Sequence, residues 1–298
     1  MTTTTASKPG SLPPSYPSHE QAPSSCRSSI SLPPYTDGAP TQPNNGFDPS
    51  SFAVPTTFAP TQRLRIDAQG HGCFRLPFPP KPDPIPVYDV THGDPASPLY
   101  VSLRSNRNSG TCRLVRGGDG DTVCTTTYRF GPGNPPVIGL LADGPPSYED
   151  EGPRGEEVVI ESLGPLTRAQ VLRSRLGTFR WRYASSEERK AQGQDSVIIL
   201  EKLTAASTPH TSKKEEVATE IGLFARGHGT RTPGTTKHTA GNGGLLLLNL
   251  AEWRGEKKDG EEEEVRALIV ASCLSMLKKE IDRRRALQMA VILGGGGS

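Results

Sequence analysis

The segment from Val265 to Leu293, VRALIVASCLSMLKKEIDRRRALQMAVIL, limits the possible folds more than any other part of the chain. Its uncharged run of eleven residues, Ala267 to Leu277, would span about 16 Å as a helix, whereas the hydrocarbon core of a bilayer is about 30 Å thick. Charged residues follow directly from Lys278 to Arg285, and their burial in lipid would be costly. The sequence therefore predicts a buried helix and not a membrane anchor.

This predicted helix, residues 261–293, is apolar nearly all round in its first half, so it needs protein walls on every side. Four glutamates, Glu261 to Glu264, lie at its N-terminus, and the Lys/Arg cluster lies toward its C-terminal half. This order of charges is the one that the helix dipole favours. A closed β-barrel is a structure that encloses one helix on all sides.

The chain before the helix reads as short strands separated by turn residues. In TFRWRYA, Phe179, Trp181 and Tyr183 alternate with Arg180 and Arg182, the period-2 pattern of a half-buried strand. About twelve strands followed by one apolar helix predict a mainly β fold, a barrel threaded by its C-terminal helix. The runs interpreted as strands are RLRIDA, CFRLPF, IPVYDV, PLYVSLRS, TCRLVR, TVCTTTYRF, PVIGLL, EEVVIES, TFRWRYA, DSVIILEKL, EVATEIGLFA and GLLLLNLAEW.

Composition divides the chain into three parts. Residues 1–60 are rich in Ser, Thr and Pro and carry no periodic apolar face, which predicts a disordered tail. Residues 61–293 form the predicted barrel domain, interrupted by an exposed acidic, Pro-rich loop at 142–157. Residues 294–298, GGGGS, are typical of a flexible tail.

The five cysteines show neither a disulfide framework nor the spacing of a zinc site. The first residues, MTTTTASKPGSLPP, lack the basic and apolar regions of a signal peptide. We therefore expect a cytoplasmic protein.

The 34 basic and 32 acidic residues nearly cancel, so an electrostatic partner would have to be recognised by a local patch. Arginine side chains in such a patch could hold an anionic head group. The backbone of AGNGG, residues 240–244, could also approach an anion. The alternative is that these residues are solvated strand edges and a tight hairpin turn. The two candidate patches are Arg104, Arg107, Arg113 and Arg116, and Arg226, Arg231 and Lys237 with His228 and His238.

The tetrapeptide PPSY occurs twice, once in the predicted tail and once in the acidic loop. PPxY is the ligand pattern of WW domains, whose aromatic groove accepts a preformed polyproline II turn. The alternative is that Pro-rich segments produce such strings by accident. The candidate WW-binding residues are Pro13, Pro14 and Tyr16, and Pro145, Pro146 and Tyr148.

No catalytic or metal-binding motif is recognisable in the chain. The six histidines are scattered, and GxSxG, HExxH and a GxGxxG followed by an acid are all missing. KKEIDRRR resembles a basic nucleic-acid helix, but its interleaved acids favour a solvated helix end. We therefore expect a protein that is not an enzyme, takes no cofactor or metal and binds no nucleic acid.

Several segments occur in the order seen in fungal proteins of the tubby C-terminal-like superfamily, which also includes phospholipid scramblases and plant LURP-one-related proteins. They are FRLPFP, YVSLRSNRNSG, TTTYRFGPGNPPVI, FRWRYA, TRTPGTTKHTAGNGG and ALIVASCLSMLKKEIDRRRALQMAVI. The resemblance covers residues 62 to 293 and implies a closed antiparallel barrel of twelve strands around a central C-terminal helix. The chain departs from the family in the acidic insert, in the Lys/Glu-rich loop before the helix, and in lacking the phosphoinositide-contacting pattern of animal tubby proteins and the acidic calcium-ligand run of scramblases.

The sequence thus predicts a non-enzymatic adaptor, cytoplasmic or peripheral to membranes and without a transmembrane segment. Its barrel would dock on anionic phospholipids such as phosphoinositides, and its PPxY motifs would recruit WW-domain proteins such as HECT-type ubiquitin ligases. The alternative function is lipid handling of the phospholipid scramblase type.

Overall fold

The structure is a computed structural model. The structure describes residues 58–73, 76, 78, 83–93, 95–106, 109–128, 134–141, 155–164, 167–206, 215–255 and 260–294. The strands are β1 (Gln62–Ile66), β2 (Ile85–Asp89), β3 (Tyr100–Arg104), β4 (Thr111–Arg116), β5 (Thr122–Thr127), β6 (Val137–Leu140), β7 (Glu157–Ser162), β8 (Gln170–Ser174), β9 (Gly177–Tyr183), β10 (Ser196–Ala206), β11 (Glu215–Arg226) and β12 (Gly244–Leu248). The helices are α1 (Ser186–Ala191), a 3-10 turn (Ala251–Trp253) and α2 (Glu261–Gly294).

The twelve strands form one closed antiparallel barrel. Each strand pairs with the next along the chain, and β1 closes the barrel against β12, with Leu64 opposite Leu246. Closure removes the free sheet edges that would otherwise invite pairing with another chain. This architecture confirms the predicted fold class.

Helix α2 fills the lumen of the barrel. Val265 and all residues from Ala267 to Leu277 are buried, and they pack against the inward side chains of the strands, including Phe179 and Trp181. The buried stretch is about 20 Å long. Because both the helix and the inner face of the sheet are apolar, neither could be stable without the other.

The strand pattern was predicted well, with two errors. The run QVLRS was missed and forms β8, while CFRLPF was predicted as a strand, and its described residues Cys73, Leu76 and Phe78 lie outside any strand. β8 joins β9 through only Arg175 and Leu176. The flanking Ser174 and Gly177 are turn residues, but the run before them is rich in helix formers and lacks alternation, so it gave no strand pattern.

The predicted helix at 261–293 is confirmed as α2, but the barrel encloses only its first half. Beyond Leu277 no residue of α2 is fully buried, and Leu287 to Gly294 is exposed except for the half-buried Gln288. In the described part of the chain, no helix combines the length and apolarity of a membrane span.

The other predicted segments lie largely outside the described residues. Of the predicted tail only 58–60 is described, and Phe58 is buried against an outer cluster that includes Val90 and Leu247. Of the predicted acidic loop only 155–157 is described, with Glu157 already in β7. Of the predicted Gly/Ser tail only Gly294 is described, as the last residue of α2.

Candidate functional site

The two ends of the barrel differ in charge. At the entry end, where α2 begins, arginines from the end of β4 and from the segment before α2 pair with glutamates of the first helical turn. Arg116 lies 3.0 Å from Glu263, and Arg254 lies 3.2 Å from Glu262. Opposite charges are thus matched here, next to the positive pole of the helix dipole.

At the exit end, where α2 leaves the barrel beside the last residues of β9 and β11, a cleft of about 440 Å³ lies between the helix, α1 and the loop from β11 to β12. Seven cationic side chains and two carboxylates line it, Asp195 and Glu280, which leaves an excess of five positive charges. The cations are Arg168, Arg189, Arg226, Arg231, Lys237, Arg283 and Arg284.

Two of these cations are neutralised by the carboxylates of the cleft. Arg226 donates two hydrogen bonds to Glu280, at 2.6 and 2.8 Å, and both side chains are largely buried. Burial opposes ionisation of Glu280, but hydrogen bonds from Arg226 and its charge outweigh burial, so the pKa of Glu280 lies below its ordinary value. Arg231 forms an ion pair with Asp195.

The Arg226–Glu280 pair also fixes the helix to the wall. Glu280 accepts further hydrogen bonds from the Tyr183 hydroxyl at 2.7 Å and from the Gly241 backbone N–H at 3.1 Å. A Cβ on Gly241 would lie 2.6 Å from the carbonyl oxygen of Leu277, so glycine is required where this loop crosses α2. The N–H of Gly241, expected to approach an anionic ligand, is bound to the protein's own carboxylate.

The remaining five cations have no carboxylate partner among the described residues. Arg284 donates to the sulfur of Cys73 at 2.8 Å, Arg168 lies over the ring of Tyr183, and Arg189 donates weakly to backbone carbonyls at 3.4 Å. Lys237 and Arg283 are exposed. These side chains leave guanidinium and ammonium donors for an anion in the cleft.

Lys279 directly precedes Glu280 on α2. Burial, and after it the charge of Arg283, lowers the pKa of Lys279 to about 8. Burial is thus the larger cause, and the cation of the cleft adds to it because a neighbouring positive charge disfavours protonation.

The structure treats the two predicted patches differently. It brings Arg226, Arg231 and Lys237 together in the cleft. The other patch is divided, because Arg116 pairs with Glu263 at the entry end, Arg113 is exposed on the wall, and Arg104 lies at the other end of the β3–β4 pair, opposite Cys112. Arg107 and both PPxY motifs lie outside the described residues.

Sequence reasoning missed four cations of the cleft: Arg168, Arg189, Arg283 and Arg284. Arg283 and Arg284 belong to KKEIDRRR, which was interpreted as a solvated helix end. The available signal was the position of that cluster directly after the buried run, because a helix that leaves a barrel places its next residues at the mouth.

In the described part of the chain, no group of three or more His, Cys, Asp or Glu side chains is arranged to hold a metal ion. No protein-family model matches the chain, and neither does any curated protein or solved structure. The resemblance to tubby C-terminal-like proteins therefore stays a prediction.

Proposed function

We propose that the protein is a non-enzymatic adaptor whose exit-end cleft binds phosphate-bearing head groups of anionic phospholipids, phosphoinositides above all, and whose PPxY motifs recruit WW-domain proteins. The single observation that carries the lipid-binding part is the excess of five positive charges in one cleft. This part of the proposal needs no chemistry beyond ion pairing and hydrogen bonding.

The ligand class follows from the number and type of cations. One carboxylate ligand would neutralise one of them, whereas a head group with several phosphates neutralises several. Arg168, Arg189, Arg283 and Arg284 offer planar donor pairs that match phosphate oxygens, and Lys237 adds a mobile point charge. A volume of about 440 Å³ lies in the usual range for small-ligand sites.

The test uses a soluble head group, so that membrane effects play no part. Inositol trisphosphate is titrated into the full chain by calorimetry, with uncharged inositol as the reference ligand. We expect saturable binding that weakens with salt, and a loss of about tenfold or more in affinity for Lys237→Gln with Arg283→Gln, because each charge-assisted hydrogen bond contributes about 1.5–3 kcal/mol.

The control for this titration is Arg113→Gln, since Arg113 is exposed on the barrel wall and belonged to the other predicted patch. Its affinity should equal that of the unchanged protein. Equal affinities of all three proteins, or equal binding of inositol and its trisphosphate, would contradict the assignment of the cleft.

The adaptor part of the proposal is supported by the two copies of PPSY. Each copy has the two prolines and the tyrosine of the pattern that WW domains recognise. Two motifs on one chain would also raise affinity for tandem WW domains by increasing the effective concentration of the second motif. HECT-type ubiquitin ligases carry such domains, so we propose them as partners.

Pull-down on immobilised WW domains tests this part. Tyr16→Ala with Tyr148→Ala should abolish retention of the chain. Tyr35 follows two prolines without the spacer residue of PPxY, so Tyr35→Ala is the matched control and should be retained fully. Retention of the double variant would show that the motifs are not WW ligands.

A further inference from the structure

The end of α2 beyond the cleft exposes an apolar surface. Eleven large hydrophobic residues are exposed in the described part of the chain, and five of them lie within the last eight residues of this helix. They are Leu287 (62% exposed), Met289 (42%), Val291 (75%), Ile292 (58%) and Leu293 (74%), which we call the apolar tip.

Two further exposed apolar residues, Leu76 and Phe78, follow Cys73, whose backbone contacts α2. Gln288 donates to the carbonyl oxygen of Cys73 at 2.8 Å. Leu76 and Phe78, 67% and 63% exposed, follow Cys73 by three and five residues, which limits their distance from it to roughly 18 Å. The remaining exposed hydrophobics are dispersed, at Leu141, Val159, Leu163 and Val217, so exposure of large apolar side chains is concentrated at the exit end.

We propose that the apolar tip inserts into the interfacial layer of an anionic phospholipid membrane, while the arginines at its base contact the head groups. This inference rests on the proposed function, because it uses the same end of the barrel and the same class of lipid. It adds an element that the cleft alone does not provide, a second and hydrophobic contribution to membrane attachment.

The distribution of apolar residues around the helix favours lipid over a protein partner. From Ala286 to Leu293 the helix carries no charge, and at 100° per residue its five large apolar side chains spread over about 240° of its circumference. A helix that docks in a protein groove or on a second copy needs one apolar stripe. An uncharged helix end with apolar side chains over about two thirds of its circumference suits a medium that surrounds it.

The dimensions fit insertion into the interface and not across the bilayer. Ala286 to Gly294 spans about 13 Å as a helix, less than half of the hydrocarbon core. Interfacial helices bury apolar residues about 5–10 Å into the boundary of head groups and acyl chains. Leu287 lines the basic cleft and also belongs to the tip, so the cationic and apolar surfaces are continuous.

Charge complementarity identifies the membrane as anionic. Arg283 and Arg284 form the base of the tip and line the cleft, and each basic residue near an anionic surface contributes favourably to binding. The entry end, where Glu262, Glu263 and Glu264 are each paired with an arginine, offers no such excess of positive charge. The barrel should therefore attach with its exit end toward the lipid.

Co-sedimentation with vesicles tests the inference. The vesicles contain phosphatidylcholine alone or mixed with phosphatidylserine. We expect Val291→Ser with Leu293→Ser to reduce partition into the mixed vesicles by about tenfold or more, because two large apolar side chains are removed from the lipid-contacting surface. Val217→Ser is the matched control. Val217 is half exposed and pairs with Thr204 of β10, one residue past the part of β10 that pairs with β9, so it lies toward the entry end. This variant should partition like the unchanged chain.

A depth measurement gives a second, independent readout. The native tryptophans, Trp181 and Trp253, are buried, so a tryptophan placed at the tip reports on its own surroundings. The emission of Val291→Trp should shift to the blue in mixed vesicles and be quenched by brominated acyl chains. Val217→Trp should show neither effect.

The outcomes separate this inference from the proposed function. If inositol trisphosphate binds but the tip variants partition normally and Val291→Trp is not quenched, the insertion is wrong and the cleft assignment stands. If the trisphosphate does not bind but the tip inserts, the cleft assignment fails and the insertion stands. A change from dimer to monomer in the tip variant without lipid would overturn the insertion in favour of self-association.

Discussion

The indole nitrogen of Trp181 donates a hydrogen bond to the hydroxyl oxygen of Ser272, 2.9 Å away, across the interior of the barrel. Both residues are buried, and Ser272 in turn donates to the carbonyl oxygen of Ile269. A second pair, Tyr128 and Ser275 at 3.1 Å, lies one turn further along α2. Apolar packing tolerates sliding and rotation of a helix, whereas these directional bonds fix its depth and rotation in the barrel.

Ser272→Ala should lower the free energy of unfolding by about 1–3 kcal/mol, because it leaves the buried indole N–H of Trp181 without an acceptor. Urea denaturation gives this difference directly. Trp181→Phe with Ser272→Ala removes donor and acceptor together, so a double-mutant cycle isolates the coupling between the two side chains. Additive effects of the two changes would show that the hydrogen bond contributes nothing to stability.

The helix contains its own matched pair for testing the core. Leu268 is fully buried in the barrel and Leu287 is 62% exposed at the exit end. Leu268→Ala should cost about 2–5 kcal/mol through lost burial and the cavity left behind, whereas Leu287→Ala should change stability by less than about 0.5 kcal/mol. Thermal and urea unfolding both measure the loss of unfolding free energy in the two variants. Equal losses would mean that Leu268 does not lie in the core of the barrel.

The sequence predicted the barrel and its helix because burial leaves a strong pattern. Phe179 and Trp181 alternate with arginines, which located the strand, and the run ending at Leu277 has no charge, which located the helix. The cleft was only half predicted. Arg231 and Lys237 lie in one acid-free loop, whereas Arg168 is brought close to them only by the course of β8 and β9 in the barrel. Such long-range pairing of strands leaves no signature in a single sequence.

Thiol reactivity should follow burial. Cys124 and Cys273 are buried, and burial raises the pKa of the Cys124 thiol to about 12 and raises the pKa of Cys273 as well. Since the thiolate is the nucleophile, both should resist alkylation until the barrel unfolds. Cys73 is exposed and should react in the native protein. Mass spectrometry after brief treatment with iodoacetamide shows which cysteine is alkylated first. Early modification of Cys273 would show that the lumen opens.

The pair of Arg226 and Glu280 should dominate acid sensitivity at the exit end. Glu280→Gln should destabilise the protein near neutral pH by about 3–5 kcal/mol, because it leaves the Arg226 charge buried without a counter-ion. The folded pKa of Glu280 lies below its ordinary value of 4.5, so its stabilising contribution is present above about pH 4.5 and is lost as the pH falls through the folded pKa. The stability difference between the unchanged protein and the variant should therefore shrink on acidification. A difference that is constant down to acid pH would contradict this assignment.

Charged Lys279, unlike charged Glu280, should destabilise the fold, and this makes stability depend on pH in the alkaline range as well. Its pKa of about 8 in the folded protein lies below the ordinary value of 10.5, through burial and the charge of Arg283. Between these two values the unfolded chain binds more protons than the folded one, so the unfolding free energy of the unchanged protein rises with pH over this range. Lys279→Met removes the buried charge, and we expect it to stabilise the protein near neutral pH and to lose this advantage as the pH approaches 10.5. Urea denaturation of both proteins across the range measures the slope, and Lys190→Met on α1 serves as the control for loss of a lysine. Parallel pH profiles for the unchanged protein and Lys279→Met would contradict a lowered pKa of this lysine in the folded protein.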